Sequence, residues 1–261
     1  MYKRIIEQFI AAQKAAHAAY AAAAAFERET VAAIPDHYHS VELRSEYRTE
    51  KELQSFCRSV AGGVVNRARR EFAPPGARLD IANQDEYERA GLDIDKALKA
   101  GKIPNIDGLW ASMARRYGGH GGAELAYQQA AQRIISGFGL NRRREVQRTA
   151  SAVVLRKSVI SEACYRRSSR KVGYYSCQST ADCLSGLATF AAKAGHHLLA
   201  AGLNRVNVHD VEYNYREKQS YPGLDIVFFK EAWEFKFSHQ VADDLLVFLG
   251  EYGEAFMQEA A

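Results

Sequence analysis

The sequence predicts an α+β protein in which an N-terminal helical hairpin or bundle precedes an antiparallel sheet packed on helices. Two observations carry this. Residues 2 to about 33 contain no Gly or Pro, and 11 of the 15 residues from Ala11 to Ala25 are Ala, the strongest helix former. From about residue 150, β-branched and aromatic residues begin to alternate with polar ones, the period-2 signature of strands. Helical segments followed by strands suit an α+β architecture and not a doubly wound nucleotide-binding fold. The division is expected near residue 140, with a helical region at 1–140 and an α+β region at 141–261.

The first helix is expected to be a rod of roughly 48 Å at the usual rise per residue. Its larger apolar groups, Ile6, Phe9, Ile10, Tyr20 and Phe26, are sparse, so its alanine faces let a second helix approach closely. The polar stretch IPDHYHS ends it at Pro35. Thr49, with Glu52 three residues later, reads as a capping box for a second helix, LQSFCRSVAGGVVNRARREF, which stops at Pro74 and Pro75. Shorter helices fill residues 83 to 117, where Leu109, Trp110, Met113 and Tyr117 fall at helical spacing. GGHGG, residues 118 to 122, reads as a connector. A glycine cluster can cradle phosphate, but Ala-Glu follows here instead of Gly-Lys-Ser, and no apolar strand precedes it. The next helix runs from about 123 to 136 and stops near Gly137 and Gly139.

SAVVLRKSVIS, RVNVHDVEYNYRE and DIVFFKEAWEFKF read as strands. Ser179 with Asp182 is a capping-box variant opening a helix through FAAKAGHHLLA to Gly202, and a final helix after Ser238 aligns Val241, Leu245, Leu249, Tyr252 and Phe256. A turn at Glu231 and Ala232 opposes Phe229 with Glu234, Val227 with Lys236 and Asp225 with Ser238. Ile226, Phe228, Trp233, Phe235 and Phe237 then share a buried aromatic face, while Val227, Phe229, Glu234 and Lys236 share a mixed, half-exposed one.

Composition excludes several function classes. At 261 residues, 47% hydrophobic and 25% charged, the chain buries a substantial core. Glu7, Gln8, Gln13, Lys14 and His17 interrupt any secretory hydrophobic region, and no later run reaches membrane-spanning length, so a cytoplasmic protein is expected. Cys57, Cys164, Cys177 and Cys183 lack metal-ligand spacing and read as buried free thiols. His37 and His39, with Asp36 beside them, have the residue types to ligate a metal from one strand face, but a polar loop is preferred; His196 and His197 are adjacent and would diverge by about 100° on a helix. No metal and no cofactor is expected.

Charge is unevenly distributed. Residues 142 to 171 hold ten Lys or Arg against two Glu, whereas residues 209 to 261 hold eleven Asp or Glu against four Lys or Arg. Arg142, Arg143, Arg144, Arg148, Arg156, Lys157, Arg166, Arg167, Arg170 and Lys171 are therefore the candidate binding residues. They suit nucleic acid, a ribonucleoprotein or an acidic protein surface, provided the acidic tail does not neutralise them. Tyr174, Tyr175, Tyr213 and Tyr215 lie beside them in sequence and either stack on bases or pack in the sheet.

Asp225 followed by Glu234-Phe235-Lys236 carries the residue types of a restriction-type nuclease, where two carboxylates hold a divalent metal and lysine polarises the attacking water. The expected turn separates the two carboxylates by four residues, about 13 Å. Carboxylates sharing one metal must nearly touch, so a structural hairpin is preferred and the nuclease is the alternative.

FFKEAWEFKFSHQVADDLLVFLGEYG resembles the C-terminal signature of a domain family of unknown function common on bacterial plasmids and phages, often beside an adenine-specific methyltransferase. Phe229 and Lys230, Lys236 and Phe237, and Asp244, Leu245 and Leu246 match its three elements in order, while Glu231-Ala232 stands where the family has Asn-Gly. IDGLW around Trp110 and LRKSVIS resemble further elements upstream. No methyltransferase motif occurs. The resemblance implies a mobile-element origin and supplies neither an activity nor catalytic residues; on such an element, a non-catalytic accessory protein binding through the 142–171 basic segment is expected to inhibit a host defence such as CRISPR or restriction. A monomer is expected over a homodimer, since the N-terminal helix has a partner within its own chain.

Overall fold

A computed structural model describes residues 1–31, 34, 41–142, 146–164 and 168–258. Helices come first and antiparallel sheets packed on helices follow, as expected. The chain forms two compact units: Met1–Glu71 with Ile81–Gly118, and Phe72–Asp80 with Gly119–Ala261. Residues 72–80 and 119–140, expected in the helical region, thus group with the second unit.

The first unit contains α1 (Tyr2–Val31), α2 (Glu46–Glu71), α3 (Asn83–Arg89), α4 (Ile94–Lys99) and α5 (Ile106–Tyr117). α1 and α2 pair as the expected hairpin, with the Phe9 ring stacked 3.9 Å from Phe56. Few large side chains hold α1, so its start is pinned by polar contacts. The N-terminal amine and the N–H groups of Tyr2 and Lys3 donate to the Asp107 carboxylate at 2.9 to 3.0 Å, an anion at the positive end of the helix.

Thr49 does not open α2. The helix begins at Glu46; Ser45 Oγ accepts from the Arg48 N–H at 3.3 Å, the Thr49 hydroxyl donates back to the Ser45 carbonyl, and Glu52 pairs with Arg44. No breaker separates Glu46 from Thr49, so the helix propagates through Thr49 and its hydroxyl bonds within the preceding turn. The glycines of GGHGG serve the helix ends. A Cβ on Gly118 would stand 2.3 Å from the Ala114 carbonyl oxygen, and Gly119 takes φ +62°.

The second unit contains α6 (Gly121–Phe138), β1 (Gln147–Arg148), β2 (Val153–Ser158), β3 (Ser161–Ala163), β4 (Arg170–Val172), α7 (Tyr174–Lys193), α8 (His197–Asn204), β5 (Glu212–Tyr213), β6 (Lys218–Tyr221), β7 (Leu224–Phe228), β8 (Ala232–Phe237), α9 (His239–Tyr252) and α10 (Glu254–Gln258). Among the described residues, five strands form an antiparallel sheet in the order β1-β2-β8-β7-β6, and β3-β4-β5 form a smaller one. SAVVLRKSVIS is therefore divided between two sheets, and only Glu212 and Tyr213 of RVNVHDVEYNYRE are strand.

α6 and α7 pack through small residues. A Cβ on Gly137 would meet Cys183 Sγ at 2.6 Å, and one on Gly186 the Ala130 carbonyl oxygen at 2.8 Å. This close approach ties α6 to the second unit. α7 starts at Tyr174, five residues before Ser179, because Gly173 supplies its extended N-cap. Asp182 instead accepts from Gln178 one turn back. The expected continuous helix to Gly202 breaks at Gly195, φ +83°, and α8 follows.

The inner face of the large sheet carries the expected aromatic set. Ile226, Phe228, Trp233, Phe235 and Phe237 are all buried, with Phe138 of α6 edge-on to Phe235 at 5.0 Å. Ser238 caps α9 by accepting from the Val241 N–H. The register differs from expectation. The turn lies at Lys230 and Glu231, where the Phe229 N–H donates to the Ala232 carbonyl at 2.8 Å, so Asp225 faces Lys236 and Val227 faces Glu234. Both registers leave the same residues on the same face, so alternation alone cannot choose between them. Tertiary contacts do: Trp233 packs edge-on to Phe228 at 4.8 Å and to Tyr213 at 5.7 Å, and the Glu231 carbonyl accepts from the Val159 N–H.

Candidate nucleic-acid interface

The basic segment does not form one continuous surface. Arg142 and Arg148 are exposed. Arg156 and Lys157 are consecutive on β2, so their side chains leave opposite faces: Arg156 lies exposed across from Glu234, whereas Lys157 lies across from Trp233 and is 4% exposed. Lys157 is thus corrected from a surface contact to an interior cation. Arg170 is half-buried and donates from Nε and Nη2 to the Ser161 hydroxyl and carbonyl at 2.7 and 2.8 Å. Lys171 is exposed between Glu162 and Glu212 on the flanking strands, with its ammonium 4.0 Å from Glu162. Arg143, Arg144, Arg166 and Arg167 lie outside the described residues, as do Asp36, His37 and His39. Local acids therefore offset part of the charge before any partner arrives.

The four tyrosines separate into two classes. Tyr213 is buried and stacks on Phe228 at 4.7 Å. Tyr174 and Tyr175, by contrast, are 80% and 89% exposed, with ring centroids 5.6 Å apart and planes at 81°. They open α7 immediately after the strand that carries Arg170 and Lys171. Gly173 directs the chain there: its N–H donates to the Ile160 carbonyl at 2.7 Å, and the Ser176 hydroxyl accepts from the Ile160 N–H, which fixes the helix start against the preceding loop. Tyr215 is also exposed, edge-on to Phe229, with the Arg216 guanidinium 5.3 Å from its ring centroid.

Asp225, Glu234 and Lys236 share the open outer face of the large sheet. The observed register overturns the expected four-residue separation. Asp225 and Glu234 are two positions apart along the ladder, about 7 Å, which is within reach of two side chains converging on one cation. Each carboxylate already has a cationic neighbour, however. Lys218 Nζ lies 3.2 Å from Asp225 and Lys236 Nζ 4.0 Å from Glu234. The Ser220 hydrogen bond, then Lys218 and Lys236, hold the Asp225 carboxyl below its ordinary range. Among the described residues, no three His, Cys, Asp or Glu side chains gather as a metal site.

A signal overlooked in the sequence is the position of Lys157. In VVLRKS, Val153, Leu155 and Lys157 share the inward parity, so the lysine occupies a core position. It borders a cavity of about 420 Å³ with Arg133, Ser136, Ser179, Asp80 and Asp182. The cysteines follow expectation in large part: Cys57, Cys177 and Cys183 are buried, while Cys164 is only half-buried. Among the described residues, no helix is long and apolar enough to cross a membrane. No protein family, curated protein or solved structure matches this chain.

Proposed function

We propose that this protein binds nucleic acid or a nucleoprotein without catalysing a reaction on it, using Tyr174 and Tyr175, which follow the strand carrying Arg170 and Lys171, as an aromatic platform. The supporting observation is the exposure of these adjacent rings, 80% and 89%, next to the strand carrying Lys171. Two large aromatic groups held in water are suited to an occupant that covers them, and bases stack on such rings whatever their sequence. Exposed Arg142, Arg148 and Arg156 supply phosphate contacts in this reading. The resemblance read from the C-terminal residues alone, to which no family model adds support, would extend this reading to an accessory role against a host defence complex, CRISPR or restriction.

Fluorescence anisotropy with labelled single-stranded and duplex oligonucleotides tests it. Binding should weaken steeply as salt rises, and the Tyr174→Ala/Tyr175→Ala double variant should lose about ten-fold or more for single strands, because stacking is worth roughly 1 to 3 kcal/mol per base. Absence of binding at low salt, or a double variant that binds like the parent, would sink the proposal. Saturable capture of an acidic protein instead would move the platform to a protein partner.

The β7–β8 register favours a second reading, metal-dependent phosphodiester hydrolysis by Asp225, Glu234 and Lys236. There Asp225 and Glu234 would ligate the cation and Lys236 would polarise water. It ranks second because both carboxylates are engaged by lysines on the same face. Magnesium-dependent cleavage that disappears in Glu234→Ala would place it first.

A further inference from the structure

The interior of the second unit contains a cation with little to neutralise it. Lys157 is 4% exposed, its nearest hydrogen-bond partner is the Gly137 carbonyl at a long 3.4 Å, and no carboxylate lies within 4.0 Å of it among the described residues. The neighbouring Cys183 offers no counter-charge, since burial pushes its thiol up to about 12 even with Lys157 nearby. Arg133, its side chain 12% exposed, borders the same cavity. One guanidinium nitrogen pairs with Asp80, while Nη1 is buried without a hydrogen-bond partner. Burying an ion without full compensation costs several kcal/mol. Two such groups at one cavity are what an anion would offset.

The polarity of the cavity narrows the ligand. Its cations are deep, whereas the Asp80 and Asp182 side chains are 46% and 33% exposed, bridged by Arg78 at 2.9 and 3.4 Å. Ser136 and Ser179 add hydroxyl donors to the lining. A single phosphate can offset Lys157 and the unpartnered Nη1 of Arg133, while a second would be repelled by Asp182 and by Asp80, which already pairs with Arg133. Those carboxylates instead suit hydroxyl or amino donors, and about 420 Å³ has room for a sugar-sized group beyond the phosphate.

We propose that this cavity binds a small phosphate monoester, with Lys157 and Arg133 holding the phosphate and Asp80 and Asp182 accepting from hydroxyl or amino groups of the attached moiety. The site is separate from the Tyr174–Tyr175 platform, so each stands or falls without the other.

Calorimetric titration and thermal denaturation of the full chain with inorganic phosphate, AMP and ADP test it. Phosphate and AMP should bind saturably and compete, AMP more tightly than phosphate, and ADP more weakly than AMP. Lys157→Met should weaken AMP at least about ten-fold, the loss of a charge-assisted hydrogen bond, while raising the ligand-free melting temperature because an uncompensated charge is removed. If Lys157→Met does not fold, Ser179→Ala and Arg133→Lys provide the same reading on AMP affinity. No saturable binding of phosphate or AMP by about 10 mM overturns the proposal, as does AMP affinity unchanged in the folded variants. A Lys157→Met protein that melts lower and binds nothing, from a parent that binds nothing, reduces Lys157 to a cap on α6 and equally overturns it.

Discussion

Asp225 stands directly across the β7–β8 ladder from Lys236, with Lys218 on the far side placing its ammonium 3.2 Å from the Asp225 carboxylate. The Ser220 hydrogen bond and these two lysines lower the Asp225 carboxyl from its usual range. A depressed acid contributes stability above its unfolded value, about 3.9, and loses that contribution as pH falls through the folded value. Its exposure to solvent keeps the contribution small, about 0.5 kcal/mol or less. Asp225→Asn is therefore expected to leave the melting temperature near neutral pH almost unchanged and to flatten its fall below about pH 4. Carboxyl titration by NMR checks the direction. An Asp225 midpoint at or above that of an unstructured peptide would contradict the pairing.

In the first unit, Glu86 is buried and accepts from the Tyr117 hydroxyl at 2.7 Å and from Arg89 at 2.5 Å. Glu86→Ala should cost about 3 kcal/mol, since it leaves a buried hydroxyl and a guanidinium without their acceptor. Chemical denaturation measures this. A loss below about 0.5 kcal/mol would class the contact with ordinary surface pairs.

Burial, then Glu86, pushes the Tyr117 hydroxyl up to about 12. In the unfolded chain tyrosine ionises near 10. The associated stability is complete below that value and falls as pH rises through 12, because the unfolded state releases its proton first. Ultraviolet titration of the parent against Tyr117→Phe should show one tyrosine ionising late, and the variant should lose less stability between about pH 10 and 12. Identical alkaline profiles would contradict this.

The space around two helical glycines, one at the α6–α7 approach and one on α9, predicts opposite outcomes for their replacement. In Gly186→Ala the new Cβ meets the Ala130 carbonyl oxygen at 2.8 Å and Ile134 Cγ1 at 3.1 Å, and overpacking of this kind costs roughly 1 to 3 kcal/mol. Gly250, in α9, has nothing within 4 Å of that position, so Gly250→Ala should stabilise by about 0.5 to 1 kcal/mol through helix propensity. Melting temperatures moving in the same direction would count against the packing.

Thiol labelling should separate the cysteines. Burial raises the thiols of both Cys57 and Cys183, and Cys177 is also buried, whereas Cys164 is partly accessible. Near pH 8 the native protein is expected to modify first at Cys164, with all four reacting after denaturation. Mass spectrometry of the labelled peptides identifies the site. Early modification at Cys183 would mean that the α6–α7 seam opens.

Long uninterrupted patterns were readable directly. The alanine-rich stretch of α1, the Pro74–Pro75 stop after α2 and the start of α9 after Ser238 are local features, and local backbone preference suffices for them. Helix ends were less readable: Thr49 and Ser179 have the residue types of caps, but each lies inside a helix that starts earlier. A cap depends on where the helix nucleates, and neighbouring contacts decide that.

The candidate sites follow the same division. Residue types alone marked the basic segment, the tyrosines beside it and the Asp225, Glu234, Lys236 set. They could not tell that Tyr213 is buried while Tyr174 and Tyr175 are exposed, or that Arg156 and Lys157 point to opposite sides of β2. The inward parity of Lys157 was present in VVLRKS, yet its neighbour Arg133 comes from α6, more than twenty residues away.

By itself the sequence determined the class of fold, the placing of the N-terminal helices before the sheet, and the aromatic face of the β7–β8 hairpin, because propensity and periodicity act over a few neighbouring residues. The hairpin register, the burial of Lys157 and the α6–α7 seam were decided only in the tertiary structure. Shifting β8 by two residues preserves every inward and outward side chain, so local energetics barely distinguish the registers. The contacts of Trp233 with Phe228 and Tyr213, and of β8 with β2, do distinguish them, and those partners meet only once the chain has folded.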